Sequence, residues 1–297
     1  MRLFDRYATY NGSNPYAAPG VLNLIPHLEH GIGTGFPVGG MVAITDSLVG
    51  LARELGVKFE FGKRVERIGR GWEGEGVVVD GELRVADQVV SNMDVVPTYR
   101  RLLADQPAPE RVLSHPRSSS ALIFYWGIGR EFPDLDLHNI FFSADYQAEF
   151  EGIFGDSGLH DDPTVYVHIS SKYEPADAPQ GMENWFVMIN VPGNKGQDWD
   201  RIIVECRERV ISKLNRMLGV DLAALIRCGA VLDPRMIEGA DRVVPELALR
   251  REFEHAVERL PSPSELQPPH QKSVFLWGRC CIGRRDSALF AQCPHRR

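Results

Sequence analysis

Residues 69–74 read GRGWEG and fit the pattern G-x-G-x-x-G, a spacing at which glycines can bring the backbone close to the phosphates of a dinucleotide. That chemistry needs a strand before the glycines and a helix after them, because the helix N-terminus directs its N–H groups at the charge. Here alternating, β-branched segments stand on both sides, and Asp80-Gly81 supplies a further turn signal. The context therefore predicts a hairpin loop, and any dinucleotide site must lie elsewhere.

Three other motifs could carry chemistry, but each has a simpler interpretation. GDSG at residues 155–158 resembles the loop of a serine nucleophile, yet it brings neither a base nor an orienting acid. His27 and His30 could face one metal ion from a helix, but no third ligand follows at a recognisable spacing. Asp161 and Asp162 precede a proline and fit a turn. We therefore predict no metal site, and the residues nominate no catalytic acid or base.

The composition is that of a globular protein with room for about two domains: 297 residues, 43% hydrophobic and 25% charged. The net charge of −7 argues against nucleic acid as the main partner, because binding to phosphates needs a basic surface. The sequence contains no apolar run of membrane-spanning length, and its five cysteines include no C-x-x-C pair. These features predict a cytoplasmic protein with reduced thiols.

Periodicity predicts three helices. In residues 41–55 apolar side chains recur every three or four positions, and Gly56 supplies the stop. A glycine-rich turn at 33–40 opens this helix, so backbone could approach a ligand there, although a plain turn is as common. Residues 145–154 form a short helix capped by aspartate, and residues 198–218 form the longest amphipathic pattern. Its predicted buried face is Ile202, Cys206, Val210, Leu214 and Met217.

Two groups of strands are also predicted. The first includes residues 59–68 and 75–92, where an apolar strand stops at Ser91-Asn92 and Pro97 opens a short helix. The second is rich in aromatic and β-branched residues and comprises 120–128, 138–143, 164–170 and 184–192. Its aromatic side chains could form a core or line the wall of a tunnel for a large apolar ligand. The sequence alone leaves both interpretations open. The candidates are Phe124, Tyr125, Trp126, Phe141, Phe142, Trp185 and Phe186.

An ordered set of segments resembles the middle and later part of bacterial-type phytoene desaturases. These are FAD-dependent carotenoid desaturases within the amine-oxidase-like flavoprotein superfamily. The resemblance extends from about Leu3 to Glu238, and no single segment carries it alone. The segments are FDRYATYNGSNPYAAPGVLNLIPHLE, GFPVGGM, LARELGVKFEFGKRVERI, VVSNMDVVPTYRRLL, LHNIFFSADYQAEFEGIF, DDPTVYVHISS and APQGMENWFVMINVP.

The resemblance implies an α/β (α+β) fold: a fragment of a glutathione-reductase-type FAD domain with a mixed-sheet substrate domain. By position, residues 1–34 and 95–238 would belong to the substrate domain and residues 35–94 to the FAD domain. Residues 239–297 fit poorly and form an atypical tail. We expect the chain to lack both ends of the family's FAD site, and one hypothesis is a truncated reading frame that is disturbed near Gly239 and recovers near Gly283.

The resemblance also implies which residues contact FAD. A glycine pair begins the helix of the FAD domain, a G-x-x-V-x-x-I segment contacts the adenine end through its backbone, and an S-N-x-D turn lies close to the flavin. This sequence has methionine where alanine is usual in that turn. The residues at matching positions are Gly39, Gly40, Met41, Val65, Asn92 and Asp94.

The activity implied is desaturation of a carotenoid precursor such as phytoene, in which FAD accepts a hydride and a proton leaves the adjacent carbon. We expect the fragment alone to be inactive. The partner would be a lipophilic polyene, acquired through peripheral contact with the inner face of the cell membrane. The alternatives are a carotenoid isomerase, an oxygenase or a retinol saturase. A further alternative, from a different class, is a non-catalytic lipid-binding remnant.

Overall fold

The computed structural model describes residues 2–69, 75–115, 117–155 and 158–238. This part of the chain forms two compact units. The larger unit comprises residues 2–40 and 117–238, and the smaller unit comprises residues 41–115. The predicted tail at 239–297 lies outside the described residues. The assignment of the segments to a substrate domain and an FAD domain stays a prediction.

The helices and strands follow one another in mixed order along the chain. The α-helices are α1 (Arg2–Asp5), α2 (Leu24–Gly31), α3 (Val42–Glu54), α4 (Val95–Pro97), α5 (Glu110–Leu113), α6 (Tyr146–Phe154), α7 (Trp199–Leu218), α8 (Leu222–Leu225) and α9 (Pro234–Glu238). Short 3-10 helices span Arg6–Asn11, Gly20–Asn23, Ser170–Lys172 and Pro175–Asp177, and a π-helical turn spans Thr98–Leu102. The strands are β1 (Val65–Gly69), β2 (Gly76–Val79), β3 (Glu82–Val85), β4 (Ser120–Ile128), β5 (His138–Phe141), β6 (Val165–His168), β7 (Glu183–Val191) and β8 (Ile226–Leu232).

Helix α3 confirms the helix predicted at residues 41–55, and Gly56 ends it as expected. Gly56 has a φ of 82°, and its N–H donates to the carbonyl of Arg53 while the N–H of Val57 donates to that of Ala52. This pair of bonds is a Schellman motif, which favours glycine because the turn needs a left-handed residue. The apolar face of α3 is exposed in the described part of the protein, with Leu48 at 62% and Leu55 at 70%.

Strands β1, β2 and β3 form an antiparallel three-stranded sheet in that order. Asp80 and Gly81 connect β2 to β3 with φ values of 54° and 79°, as a tight hairpin turn requires. GRGWEG lies between β1 and β2, which are antiparallel neighbours, so the strand–helix context of a dinucleotide fingerprint is missing. Residues 70–74 themselves are outside the described part.

Two details of the first strand group were predicted wrongly. Residues 59–64 are not in a strand, and neither are residues 86–92, where an apolar strand was expected. Val89 packs against the small core of Ile68, Val77 and Val79, but Val90 is 73% exposed. An alternating pattern becomes a strand only when a neighbouring strand accepts its hydrogen bonds, and residues 86–94 pair with no strand in the described part of the chain. Pro97 also lies within the helical turn, which begins at Val95.

The larger unit is built on a five-stranded sheet in the order β5-β6-β7-β4-β8. All four aromatic-rich strands predicted from the sequence are present, and β8 was not predicted. The longest ladder joins β4 to β7 over nine residue pairs, from Ser120 opposite Val191 to Ile128 opposite Glu183. Because side chains alternate between the two faces of a strand, this ladder fixes which side chains share a face.

One face of this sheet forms the main core. Phe124, Trp126 and Trp185 are buried there with side chains of α7, including Val210 and Leu214. Helix α7 begins at the cap Asp198 and ends before Gly219, which has a φ of 66°. The predicted buried face of α7 is confirmed except at its last position, since Met217 is 56% exposed.

The predicted α+β class is confirmed, but one detail differs. The resemblance implied a mixed sheet, whereas every pair of neighbouring strands in the described residues is antiparallel. That detail came from the resemblance and from no pattern in this sequence. Helix α6 connects the neighbouring strands β5 and β6, and these strands are nevertheless antiparallel.

Gly76 offers a direct test of the small sheet. A Cβ at this position would lie 2.1 Å from the main-chain oxygen of Arg84 in the neighbouring strand. We expect Gly76→Ala to lower the free energy of unfolding of the smaller unit by about 3 kcal/mol, at the upper end of overpacking costs. Gly81→Ala meets no atom within 4 Å and strains only the turn, so it should cost about 1–2 kcal/mol. Urea unfolding of both variants checks the ranking, which equal losses would contradict.

Candidate functional site

Gly39 and Gly40 form a left-handed turn directly before α3. Their φ values are 81° and 77°, a region that favours glycine. The N–H of Gly40 donates to the carbonyl of Pro37, and the N–H of Gly39 donates to a carboxylate oxygen of Glu174 at 2.9 Å. Met41 follows as the N-cap residue, and no side chain caps the first turn of α3. Both glycine N–H groups are therefore already bonded within the chain, and the two glycines turn the main chain into α3.

Val65 occupies the first position of β1, opposite Val79 of β2. Its side chain is half-buried against the small core around Val77. Strand β1 is an edge strand among the described residues, since it pairs with β2 on one side. The side chain of Val65 is therefore structural, while its strand keeps main-chain groups that a ligand can reach.

Asn92 and Asp94 lie in a turn that side chains hold from within. The hydroxyl of Ser91 accepts from the N–H of Met93 and lies 3.1 Å from the hydroxyl of Thr98. Asp94 caps α4 by accepting from the N–H of Val96 at 2.9 Å. Asn92 is exposed, and within the described residues its side chain makes no hydrogen bond. Of the two predicted flavin contacts in this turn, Asn92 has the free amide and Asp94 has a structural role.

Four of the six predicted FAD residues lie in the smaller unit: Met41, Val65, Asn92 and Asp94. Val65 packs on the same small core as Leu102, which belongs to the π-helical turn that follows the Asn92–Asp94 turn. Met41 lies in the same unit, whereas Gly39 and Gly40 lie in the larger one. The parts that fit a flavin are main-chain groups and one amide. No strand–G-x-G-x-x-G–helix unit for the pyrophosphate occurs in the part of the chain that the structure describes.

The second face of the five-stranded sheet resolves the question left open by the aromatic strands. Alternation places Phe124, Trp126 and Trp185 in the core and their neighbours Tyr125 and Phe186 on the opposite side. We call this opposite side the aromatic face. It is defined by Ile123, Tyr125, Ile140, Tyr166, Phe186 and Met188, which cross-strand pairing makes neighbours.

The aromatic face is suited to an apolar ligand. The rings of Tyr125 and Tyr166 both pack edge-on against Phe186, at centroid distances of 5.6 and 6.2 Å. Tyr125, Tyr166 and Met188 are half-buried, as is Ile140, so part of this apolar surface is accessible. The core interpretation is therefore correct for Phe124, Trp126 and Trp185, and the tunnel wall stays a prediction for the partly exposed side chains of the aromatic face.

A polar cluster lies at one end of the aromatic face, and the sequence analysis missed it. His138 of β5 stands opposite His168 of β6, with ring centroids 4.8 Å apart. The Nδ1 atom of His138 lies 2.7 Å from the hydroxyl of Tyr166. The signal was present in TVYVHIS, because Tyr166 and His168 alternate with the buried valines and so share a face.

A second polar contact had no sequence signal. The guanidinium of Arg6 is buried and donates to the amide oxygen of Asn190 at 2.9 Å, across 184 positions of the chain. Arg6 also interacts with the buried Tyr146. Burial raises the pKa of Tyr146 to about 12, and the positive charge of Arg6 opposes that effect. This contact holds the N-terminal 3-10 helix against one end of the sheet.

Of the other motifs, the acidic pair has a structural role. Asp161 pairs with Arg209 at 2.9 Å and Asp162 with Lys213 at 3.0 Å, so the two acids join their turn to α7. His27 and His30 lie on α2 beside an open cavity of about 420 Å³ that Phe4 also lines. GDSG follows α6, and residues 156–157 lie outside the described part. In the described ranges, no group of three or more His, Cys, Asp or Glu could hold a metal ion.

The comparisons with known proteins agree with the resemblance. The sequence model of the family described as flavin containing amine oxidoreductase matches residues 2–127. The 1-hydroxycarotenoid 3,4-desaturase of Flavobacterium sp. (strain P99-3) is 52% identical over 80% of this chain and 49% of its own length. The phytoene desaturase of Fusarium fujikuroi is 32% identical over 76% of this chain and 44% of its own length.

A solved structure supports the fold. It is an oxidoreductase from Methanosarcina mazei, with a TM-score of 0.52 and 16% identity, covering 78% of this chain and 51% of that one. The comparisons therefore support an FAD-dependent protein of the flavin amine-oxidase-like superfamily that is similar to carotenoid desaturases. The chain spans about half the length of the curated relatives it matches.

The buried histidine of the polar cluster predicts a pH dependence of stability. Burial, with a smaller contribution from His138, lowers the pKa of His168 to about 3. Below pH 6.5 the unfolded chain gains a proton that the folded protein does not, so stability falls as pH falls toward 3. Between pH 6.5 and 5 this histidine should account for a loss of about 2 kcal/mol.

Urea unfolding of His168→Gln at both pH values checks this expectation. The variant should lose about 2 kcal/mol less than the unsubstituted protein on acidification. His27→Gln, at an exposed position, is the matched control and should keep the original dependence. An unchanged dependence in His168→Gln would contradict the burial of a neutral imidazole.

Proposed function

We propose that the protein containing this chain is an FAD-dependent desaturase that introduces a double bond into a carotenoid. The carrying observation is the 52% identity over 238 residues to a carotenoid desaturase. The accessible, aromatic second face of the sheet supports the proposal, because a long polyene offers apolar surface and no charge for recognition.

When bound, FAD supplies an acceptor for the hydride that leaves one carbon of the saturated pair. In this proposal Gly39 and Gly40 turn the main chain into α3, and main-chain groups at Met41 and in the edge strand of Val65 contact the cofactor. The exposed amide of Asn92 contacts the cofactor, and Asp94 keeps the turn in place by capping α4. No described acid or base is assigned to the proton.

The aromatic face would hold the polyene and exclude water from it. Apolar burial contributes about 25 cal/mol per Å², so a long isoprenoid chain gains strong binding without any polar contact. Tyr125, Tyr166 and Phe186 form the rigid part of this surface, and Met188 is the adaptable part. Specificity for one carotenoid over another then depends on polar groups of the protein near the ends of the bound polyene.

We propose further that the substrate is a hydroxylated carotenoid. The relative at 52% identity is named for a 1-hydroxycarotenoid, whereas the phytoene desaturase of Fusarium fujikuroi is 32% identical. Phytoene, the substrate expected from the sequence resemblance, is the second candidate.

Product analysis tests this function. The complete protein encoded with this chain is expressed in cells that supply either phytoene or a hydroxylated acyclic carotenoid. We expect conversion of the hydroxylated substrate, with a product whose absorbance lies at longer wavelength because its conjugation is extended. Unchanged carotenoids in the presence of stoichiometric FAD would contradict the proposal.

A substitution on the aromatic face makes the test specific. Met188→Asp would place a carboxylate against the apolar polyene, so the rate of carotenoid desaturation should fall by about tenfold or more. Val204→Asp adds the same charge at an exposed position of α7 and should retain conversion.

We also propose that the protein contacts a membrane surface where its polyene substrate dissolves. Four side chains before, along and directly after α2 form an apolar stripe at spacings of three and four residues. All are exposed: Val21 at 69%, Leu24 at 54%, Leu28 at 43% and Ile32 at 82%. No helix in the described ranges is both long and apolar enough to cross a bilayer. A stripe of this kind suits insertion into the lipid interface.

Co-sedimentation with phospholipid vesicles tests the stripe. The double variant Leu24→Asp/Leu28→Asp should bind at least about tenfold more weakly, because each lost leucine forfeits about 1.5–3 kcal/mol of burial. Val204→Asp is again the control and should co-sediment like the unsubstituted protein. Equal binding of all three proteins would contradict a role for the stripe.

A further inference from the structure

We propose that His138 and Tyr166 bind the hydroxyl group at one end of the carotenoid and so determine preference for a hydroxylated substrate. This inference rests on the proposed function and goes beyond it, because it assigns the recognition to named side chains. The two residues lie where the aromatic face ends at the β5 edge of the sheet.

Their position suits recognition of one polar group on an apolar molecule. Tyr166 stands between Ile140 of β5 and Met188 of β7 in the cross-strand pairing. Its ring therefore belongs to the apolar wall, while its hydroxyl reaches toward His138 at the edge. A polyene that lies along the aromatic face would bring its end group to this pair.

The pair offers both kinds of hydrogen bond that a hydroxyl needs. When the Tyr166 hydroxyl donates to Nδ1 of His138, the phenolic oxygen keeps acceptor capacity and Nε2 of His138 carries a proton. His138 is exposed, and Nε2 has no hydrogen-bond partner among the described residues. A substrate hydroxyl could then donate to Tyr166 and accept from His138 at the same time.

The surroundings favour an uncharged site. The His138 ring packs against Tyr166 and His168, and this partial desolvation lowers its pKa below the ordinary value of an imidazole, although the residue is exposed at the edge. Glu29 and Asp136 oppose the effect. His168 is 2% exposed and packs its ring against that of His138. We assign His168 as a positioning residue, because it orients His138 and has too little exposure to meet the substrate itself.

The test compares two substrates on the complete, FAD-loaded protein. They are acyclic carotenoids that differ in one terminal hydroxyl group. We expect Tyr166→Phe and His138→Phe each to reduce the ratio of kcat/KM, hydroxylated over non-hydroxylated, by about threefold to tenfold, the change that one neutral hydrogen bond gives. The kcat/KM for the non-hydroxylated carotenoid should change by a smaller factor than the kcat/KM for the hydroxylated one. His138→Gln keeps a hydrogen-bonding side chain and should restore part of the preference.

Tyr173→Phe is the matched control, since it removes a phenolic hydroxyl from an exposed residue away from the aromatic face. It should leave the ratio unchanged. An unchanged ratio in both Tyr166→Phe and His138→Phe, with FAD content intact, would overturn the inference.

A binding measurement separates this inference from the proposed function. Retention of each carotenoid by the protein is measured in detergent micelles without turnover. One outcome is that the protein desaturates neither carotenoid and yet loses its binding preference for the hydroxylated one in Tyr166→Phe. That result would contradict the proposed desaturase activity and support the proposed recognition of the hydroxyl group. If the protein desaturates both and no variant changes either preference, the activity stands and the recognition is wrong. Absence of any preference in the unsubstituted protein also overturns the recognition.

Discussion

The antiparallel ladder between β4 and β7 is the constraint on which the larger unit depends. Nine consecutive residue pairs without a register shift fix every side chain of both strands to one face or the other. A slip by one residue would exchange the two faces and place Tyr125 in the core and Phe124 outside it. The remaining strands add to this pair, with β6 and β5 on the β7 side and β8 on the β4 side.

In the proposed function, one face of the sheet provides stability and the other binds the ligand. One face is sealed by α7, whose buried Val210 and Leu214 contribute to the main core. The other face carries aromatic rings that are only partly covered, with a polar pair at its edge. A ligand on this second face therefore need not disturb the core. In the smaller unit the residues proposed to contact the flavin offer mostly main-chain groups instead of a side-chain surface. Turns such as that of Asp94 hold these main-chain groups in place.

Much of the fold follows from local patterns. The strand at residues 120–128, the helix capped by Asp145 and the stop at Gly56 were all predicted, because each depends on near neighbours in sequence. The strand expected at residues 86–92 is absent because pairing partners are not encoded locally. The exposure of Met217 likewise depends on where α7 ends against the sheet.

The site was less accessible to sequence reasoning. The residues proposed to contact FAD came from family resemblance, and that assignment stays a prediction. The polar cluster could have been found in part, since strand alternation puts Tyr166 and His168 on one face. Its partner His138 lies 28 positions before Tyr166, and only the register of β5 against β6 joins them. The contact of Arg6 with Asn190 has no local signature at all.

Anaerobic reduction of the flavin by a carotenoid tests the central claim most directly. The complete, FAD-loaded protein is mixed with a hydroxylated acyclic carotenoid without oxygen, and the flavin absorbance is followed. The account predicts that the absorbance of oxidised flavin disappears while the carotenoid gains one double bond per flavin reduced. Flavin that stays oxidised beside an unchanged, bound carotenoid would contradict it.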